Sequence, residues 1–251
     1  MGNRYRFRMN TANSYTAYAT QFAGDGQCWL ERDAGLTGAA DGTRFAFSTW
    51  VNFTGGDGVA QHLLSPNNTR CKIEKRTSNL LRITAINTAA ATVAQIDQNS
   101  GAVAAITAAT GWVHIACSVA NLSSGGYAQL YINRVSCGTL TTFLANDTSI
   151  DFTDSDWGVG GYIGGATYLT GALCEYYFNS AESIDFSSSA NLDKFNLASK
   201  PVSLGSTGAT PTGTQPIIYL RTDYTSFTTN SGSGGNFVKK GTTALASATP
   251  P

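Results

Sequence analysis

Residues that could act as nucleophiles, bases or metal ligands are few in this chain of 251 residues. The two histidines, His62 and His114, accompany no G-x-S-x-G nucleophile motif, and His114 stands among apolar neighbours as a structural histidine does. Asp154 and Asp156 occupy alternate positions with Asp151 upstream, and oxygen ligands at this spacing could wrap a calcium ion. A solvated acidic loop explains the same residues and is the favoured interpretation. We therefore predict no catalytic residue, no metal site and no cofactor.

The five cysteines are an odd number, so at least one thiol has no partner within the chain. No C-x-x-C pair is present, which argues against a zinc site. Cys117 and Cys174 fall in register with apolar residues, which predicts buried thiols. Cys28, Cys71 and Cys137 lie near turns or charged neighbours and are the candidates for an intermolecular disulfide. Reduced, inert thiols in a protein made in the cytoplasm explain the same residues and are the favoured interpretation.

Aromatic side chains could stack on sugar rings or on a partner protein. Packing in the core or at a subunit interface produces the same pattern and is favoured over a glycan site, because large aromatics dominate both kinds of packing. The candidates are Trp50, Tyr127, Tyr131, Trp157, Tyr162 and Tyr177.

The elements that must position these residues are mostly strands. Apolar residues alternate in segments 45–53, 80–86 and 127–133, which predicts half-buried strands. Glycine-rich turn signals lie between them, at 55–58, 123–126, 158–165 and 232–235. Many short strands separated by such turns indicate an all-β chain, folded as an antiparallel β-sandwich or jelly roll.

Two segments depart from this simple pattern. Residues 188–199 predict the single short helix, capped by Ser188 or Ser189 and stopped by Pro201. The alanine-rich segment 89–110 predicts a hairpin that turns at residues 97–101, although alanine has a weak preference for strands.

We predict three regions along the chain. Residues 1–17 form an N-terminal arm or a first strand, and residues 18–200 form the sandwich. Residues 201–251 form a C-terminal extension with one strand and a polar tail, whose last dozen residues make an extended arm. The strand at 216–221 must either return to the sandwich or pair with a neighbouring chain.

Composition excludes several classes of function. Sixteen basic residues balance sixteen acidic ones, so neither nucleic acid nor an anionic membrane surface is an expected partner. No run of about 18 apolar residues is present to span a bilayer. No apolar segment typical of a signal peptide follows Met1, which predicts synthesis in the cytoplasm.

Several runs together resemble the concanavalin A-like lectin/glucanase superfamily in its laminin-G-like branch. The resemblance covers residues 18–200 and is carried by QFAGDGQCWL from residue 21, FAFSTWVNF from 45, GWVHIAC from 111, YAQLYINR from 127 and YLTGALCEYYF from 168. Glucanases of this superfamily use E-x-D-x-E or E-x-D-x-x-E motifs, and the four glutamates, Glu31, Glu74, Glu175 and Glu182, lie in none.

The later runs at 191–205, 211–220 and 230–237 are similar to an extension that accompanies such domains in bacteriophage and prophage structural proteins. The resemblance implies a non-enzymatic virion protein in a decoration, collar or tail-associated position. Its expected partners are other virion proteins and copies of itself, and its expected location is the virion. The alternative is a carbohydrate-binding adhesion module that recognises a glycan on the host surface.

Overall fold

The computed structural model describes residues 15–22, 28–67, 70–120, 126–143, 148–161 and 167–251. Strands dominate these residues, together with one short helix, α1 (Ser189–Asp193). In chain order the strands are β1 (Ala19–Phe22), β2 (Trp29–Arg32), β3 (Phe45–Phe53), β4 (Gln61–Pro66), β5 (Cys71–Lys75), β6 (Leu81–Ile86), β7 (Thr92–Gln98), β8 (Trp112–Ala120), β9 (Tyr127–Ile132), β10 (Val135–Ser136), β11 (Gly138–Phe143), β12 (Trp157–Val159), β13 (Gly171–Asn179), β14 (Asn196–Leu197), β15 (Lys200–Pro201), β16 (Ile218–Leu220), β17 (Val238–Lys240) and β18 (Ala246–Ala248).

The strands form two large antiparallel sheets, which confirms the all-β sandwich. The first sheet has the order β10-β9-β8-β3-β13-β1-β18, and β16 pairs with β13 beside this path. The second sheet has the order β11-β7-β6-β5-β4-β12-β2-β17. Strands that are distant in sequence lie side by side in both sheets, as the connections of a jelly roll require.

The main hydrophobic core lies between the two sheets. Phe47 of β3 packs edge-on against Tyr176 of β13, with ring centroids 5.2 Å apart. Ile73, Ile83 and Ile96 face this core from the second sheet, and all three are buried. The alternation predicted in segment 45–53 supplies the inward face of β3, but its other face is buried as well, so the strand is not half-buried.

The outer face of the first sheet is covered by the chain itself. One half of this face packs against residues of the 184–204 segment, namely Ile184, Phe186, Leu192, Phe195 and Leu204. The other half, around Trp50 and Cys174, packs against Tyr15, Ala17 and Ala248. Because each large buried side chain stabilises a fold by about 1.5–3 kcal/mol, this cover acts as a second core.

The predicted extension at 201–251 is not a separate arm. β16 pairs with β13 and β18 pairs with β1 in the first sheet, while β17 pairs with β2 in the second. The strand near residue 216 therefore returns to the sandwich, one of its two expected alternatives, and residues 201–251 contain three strands where one was expected. The arm expected over the last dozen residues is also wrong, because this segment contributes β18 to a sheet edge. The predicted arm or strand over residues 1–14 lies outside the described residues.

Three local predictions need correction. The predicted hairpin at 89–110 is wrong in its second half, because β6 and β11 already occupy both edges of β7. The predicted helix ends at Asp193, and the backbone of Ala198 has a positive φ of 54°. Gly158 lies inside β12, between β2 and β4, and not in a turn. No helix in the described part of the chain is long and apolar enough to cross a membrane.

Candidate functional site

The outer face of the second sheet carries rows of polar side chains. The core row Ile73, Ile83 and Ile96 runs across β5, β6 and β7 in register. Side chains of successive strand residues point to opposite faces, so the adjacent row of Glu74, Arg82 and Asp97 points away from the core. Strand alternation thus builds a polar surface directly behind the hydrophobic core, and we call it the polar face.

Asp97 is the centre of a hydrogen-bonded network on the polar face. The Arg82 guanidinium binds its carboxylate in a bidentate manner, with N···O distances of 2.6 and 3.0 Å. Gln95 and Thr141 donate to the same carboxylate at 3.1 and 3.2 Å. Burial alone raises the pKa of Asp97, but the hydrogen bonds outweigh it and hold the pKa below its ordinary value. Asp97 therefore stays ionised and accepts hydrogen bonds.

Glu74 joins a second network beside the first. Its carboxylate lies 3.2 Å from Nε2 of His62 on β4 and 3.0 Å from Nζ of Lys72. Burial alone raises the pKa of Glu74, while the partners His62 and Lys72 lower it further than burial raises it. The side-chain exposures are 10 % for Glu74 and 22 % for Lys72, so the pair forms a recessed polar patch with a partly accessible ammonium group.

An aromatic pair lies on the same side of the second sheet. The rings of Trp29 and Tyr168 are 5.0 Å apart with an interplanar angle of 33°. Trp29 donates through Nε1 to the Glu31 carboxylate at 3.0 Å, and Lys240 Nζ lies 3.7 Å from the same carboxylate. Thr167, next to Tyr168, is within 3.5 Å of His62 Nδ1, so the aromatic pair adjoins the Glu74 network.

Gly161 packs closely against both residues of this aromatic pair. A Cβ atom at Gly161 would come within 2.7 Å of Trp29 and within 2.9 Å of Tyr168. A glycine at this position lets the backbone approach both rings, which restricts their orientation. Part of the glycine-rich run at 158–165 therefore has a role in positioning the site as well as in turning the chain.

The aromatic residues predicted as glycan or partner contacts are mostly buried. Trp50 and Trp157 are 3 % and 0 % exposed, and Tyr177 is fully buried, so none can stack on a sugar. Tyr127 and Tyr131 are half-buried, and Tyr131 packs against Phe186 of the cover. Tyr162 lies outside the described residues. Packing, the favoured interpretation, therefore fits Trp50, Trp157 and Tyr177. The candidates predicted from the sequence did not include Trp29 and Tyr168.

All five cysteines are buried. This confirms the prediction for Cys117 and Cys174, but the predicted exposure of Cys28, Cys71 and Cys137 is wrong. Burial raises the pKa of the Cys137 thiol to about 12 and raises that of Cys71 further. A thiol that is both inaccessible and protonated cannot form the predicted intermolecular disulfide while the fold is intact.

The aspartates considered for calcium binding are occupied by other partners. Asp151 lies 3.4 Å from Arg70, and Asp156 accepts hydrogen bonds from Asn67 and Ser155. Asp154 is 6 % exposed and accepts a hydrogen bond from the backbone N–H of Ser155. Among the described residues, no cluster of three or more His, Cys, Asp or Glu side chains could hold a metal ion.

His114 lies on the covered face of the first sheet, away from the polar face. Its Nε2 lies 2.9 Å from the Ser48 hydroxyl, and its ring is 5.1 Å from that of Trp50. Burial lowers the pKa of His114 to about 3, so the ring is neutral at physiological pH. The geometry fits the structural role expected from the sequence.

Comparison with solved structures identifies the fold. The chain superposes on the native heptameric SAP-like pentraxin from Limulus polyphemus with a TM-score of 0.56 and 11% identity, covering 93% of this chain and 95% of the pentraxin. It superposes on a proposed carbohydrate-binding protein from Bacteroides ovatus ATCC 8483 with a TM-score of 0.58 and 13% identity, covering 92% of this chain and 60% of that one. The chain therefore has the concanavalin A-like/laminin-G jelly-roll fold.

A third structure, domains LG4-5 of the mouse laminin alpha1 chain, matches with 14% identity and a TM-score of 0.47. The match covers 71% of this chain and 46% of the laminin structure. No known protein family and no curated protein matches the sequence.

Proposed function

We propose that this protein is a non-enzymatic carbohydrate-binding protein and that its ligand binds on the polar face of the second sheet. The observation that carries the proposal is the Trp29–Tyr168 pair beside the Glu31 carboxylate and the Glu74 network. An aromatic ring offers an apolar surface to the C–H face of a sugar. The Glu31 carboxylate beside the pair, and the Glu74 carboxylate and Lys72 ammonium of the adjoining network, offer hydrogen bonds to its hydroxyl groups.

The charges on the polar face favour an uncharged sugar. Lys72, Arg82 and Lys240 lie within 4 Å of Asp97, Glu74 or Glu31, and Lys240 also lies 3.6 Å from Asp33. With three cations and four carboxylates paired in this way, the surface has no large excess of either sign to attract a charged polymer. Its fixed hydrogen-bonding groups recognise the arrangement of hydroxyl groups instead, as is usual in sites with a few well-placed polar side chains.

The carboxylates of the polar face are poorly suited to hydrolysis of a glycosidic bond. A glycosidase needs a general acid whose pKa is raised, so that it holds a proton near neutral pH. Glu74 and Asp97 have lowered pKa values because hydrogen bonds and cations stabilise their charged forms. These two groups bind ligands as acceptors and do not deliver a proton, which supports binding without turnover.

The structural comparison agrees with this proposal. The Bacteroides protein is described as a proposed carbohydrate-binding protein, and its fold covers 92% of this chain. At 13% identity this likeness concerns the fold, and the residues of the polar face supply the specific support.

The test measures glycan binding by the whole protein and by Trp29→Ala on an array of neutral and charged glycans. Wild type is expected to bind at least one neutral glycan, and Trp29→Ala is expected to lose about fivefold or more in affinity, because a stacking ring contributes about 1 kcal/mol or more. Trp112→Ala is the matched control, since Trp112 is half-buried on the first sheet and donates to the Thr249 carbonyl. Equal losses in the two variants, or no glycan bound by wild type, would overturn the proposal.

A place in a bacteriophage particle, with other virion proteins and copies of this chain as partners, stays a prediction. It rests on the residue runs at 191–205, 211–220 and 230–237. The expected arm that would connect subunits gives it no support, because residues 201–251 contribute strands to the protein's own sheets. Mass spectrometry of intact particles that carry this chain would test the prediction.

A further inference from the structure

A buried carboxylate lies at an irregularity in the central strand of the first sheet. The register of β13 shifts between Cys174 and Tyr177, and the backbone of Glu175 has a positive φ of 50°. Such a bulge re-aims a side chain and often accompanies a functional site. Glu175 is 4 % exposed and accepts hydrogen bonds from the Tyr15 hydroxyl and, at 2.5 Å, from the Tyr219 hydroxyl.

A pocket of about 180 Å³ is connected to this carboxylate through Tyr15, which lines the pocket and donates its hydroxyl to Glu175. The pocket is lined by Tyr15, Thr16 and Tyr18 from the N-terminal segment, and by Arg221, Thr222, Asp223 and Ser226 from the segment after β16. An engineered cavity of about 150 Å³ in another protein holds benzene, so this pocket has room for a ligand of similar size. The pocket belongs to the first sheet and is separate from the polar face of the second.

Two groups in the pocket wall have unused binding capacity. Arg221 donates through Nη1 to the Gly205 carbonyl at 2.7 Å, and within the described residues it forms no ion pair. The hydroxyl oxygen of Thr222 is buried and has no hydrogen-bond partner among the described residues. A guanidinium has five N–H donors in a planar fork, so this one hydrogen bond leaves most of its capacity unused among the described residues. A buried hydroxyl without a partner costs stability unless a ligand satisfies it.

We propose that this pocket binds a small carboxylate ligand, held by the Arg221 guanidinium and the Thr222 hydroxyl. The guanidinium matches a carboxylate in a bidentate geometry. Tyr15 and Tyr18 also line the pocket, and their rings offer contact to an apolar or aromatic body of the ligand. Asp223 forms no ion pair with Arg221 among the described residues, and its Oδ1 accepts hydrogen bonds from Thr225 and Ser226.

Glu175 gives this site a pH dependence that a surface arginine lacks. Burial raises the pKa of Glu175 to about 7, against the lowering effect of Tyr15, Tyr219 and Arg221. The other titratable groups that face Glu175 are Tyr15, Tyr219 and Cys174, and burial raises their pKa values, so they stay protonated at neutral pH. When Glu175 ionises, its charge opposes that of a bound carboxylate. Affinity is therefore expected to fall as the pH rises through about 7.

The experiment titrates the whole protein with fluorobenzoate, followed by fluorine NMR at constant ionic strength with chloride as the competing anion. Binding is expected at about pH 5.5, and it should weaken several-fold at about pH 8.5, where Glu175 is ionised. Acetate should compete for the same site. Arg221→Gln is expected to lower the affinity about tenfold or more, since hydrogen bonds to a charged group contribute strongly.

Three variants separate this site from general attraction between charges. Arg76→Gln removes the same charge from an exposed position and is expected to leave binding unchanged. Thr222→Val keeps the shape and should weaken binding several-fold, and Arg221→Lys should retain part of the affinity if Arg221→Gln fails to fold. No binding by wild type, equal loss in Arg76→Gln and Arg221→Gln, or full affinity in Thr222→Val and Arg221→Lys would overturn the proposal.

Discussion

The outer faces of the two sheets begin from the same strand alternation and end in opposite states. On the first sheet, outward residues such as Trp50 and Tyr177 are buried beneath the 184–204 segment and both ends of the described chain. On the second sheet, outward residues such as Arg82 and Asp97 remain about a quarter exposed and pair with one another. The difference teaches that the covering segments, and not the strands alone, decide which face can bind a ligand.

The titratable groups show the same contrast. Glu175 on the covered side has a raised pKa because burial dominates, whereas Glu74 and Asp97 on the polar face have lowered pKa values because their partners dominate. The covered face of the first sheet therefore contains a carboxylate, Glu175, that resists ionisation. The other presents carboxylates that are already ionised and ready to accept hydrogen bonds.

The largest expected effect concerns the cover of the first sheet. Phe186 is fully buried and packs edge-on against Phe195, 5.8 Å away. Phe186→Ala is expected to lower the free energy of unfolding by about 3–5 kcal/mol, because it leaves a cavity in a packed cluster. Urea unfolding measures the change, and Trp29→Ala on the polar face is the control, with a smaller loss expected because Trp29 is half-buried. If the two variants lose equal stability, the cover is not a second core.

The next effect is the pH dependence contributed by Glu175. Its pKa is about 7 in the folded protein against an ordinary value of 4.5, so the folded state holds the proton more tightly. Its contribution to stability is complete below about pH 4.5 and declines as the pH rises to about 7, by about 3 kcal/mol in total. Glu175→Gln stays uncharged and should lack this decline.

The measurement is the difference in unfolding free energy between wild type and Glu175→Gln across this pH range. Carboxylates with lowered pKa values, such as Asp97, stabilise both proteins equally, so their contribution cancels when the two unfolding free energies are subtracted. Their stabilising effect is lost only as the pH falls. A difference that does not change with pH would show that Glu175 is not held in a desolvated environment.

Much of the fold could be predicted from the sequence, because local patterns determine it. The alternation at 45–53 and 127–133 corresponds to β3 and β9, and the apolar register of Cys117 and Cys174 predicts their burial. These predictions need only a two-residue period and knowledge of which side chains are apolar. The registers of distant strands, such as β1 with β18, have no local signal.

The proposed binding face could not be predicted for the same reason. Trp50 and Trp29 both lie in strands, yet Trp50 is buried beneath Tyr15, Ala17 and Ala248, while Trp29 meets Tyr168 on the polar face. Which tryptophan is accessible depends on where segments more than a hundred residues away return to the sheets. A sequence pattern around either residue contains no such information, so the predicted set included the buried Trp50 and Trp157 and omitted Trp29.

How often the cover of the first sheet opens can be measured from the reaction rates of two buried thiols. Cys71 faces the core between the sheets, and Cys174 lies beneath the cover near the edge strand β18. Edge strands open more often than central strands, so Cys174 is expected to react with a thiol reagent about tenfold faster than Cys71. Mass spectrometry of the labelled peptides gives both rates, and Cys174→Ser identifies the signal. Faster reaction of Cys71 would contradict the assigned order of the two layers.

The smallest expected effects on stability come from two matched arginine variants, one on each face. Arg82 pairs with Asp97 on the polar face, and Arg134 pairs with Asp193 on the covered side, with N···O distances of 2.6 and 2.7 Å. The two arginine side chains are 25% and 31% exposed, so replacing either by alanine should cost about 1 kcal/mol or less.

Their effects on glycan binding should differ despite this similar cost. Arg82→Ala removes a donor from the polar face and frees the Asp97 carboxylate from its bidentate partner, so glycan affinity should fall several-fold. Arg134→Ala alters only the attachment of the cover, through Asp193 and the Asn196 carbonyl, and should leave that affinity unchanged. Calorimetric titration with the best array ligand decides between the faces, because a loss confined to Arg134→Ala would place the ligand on the first sheet.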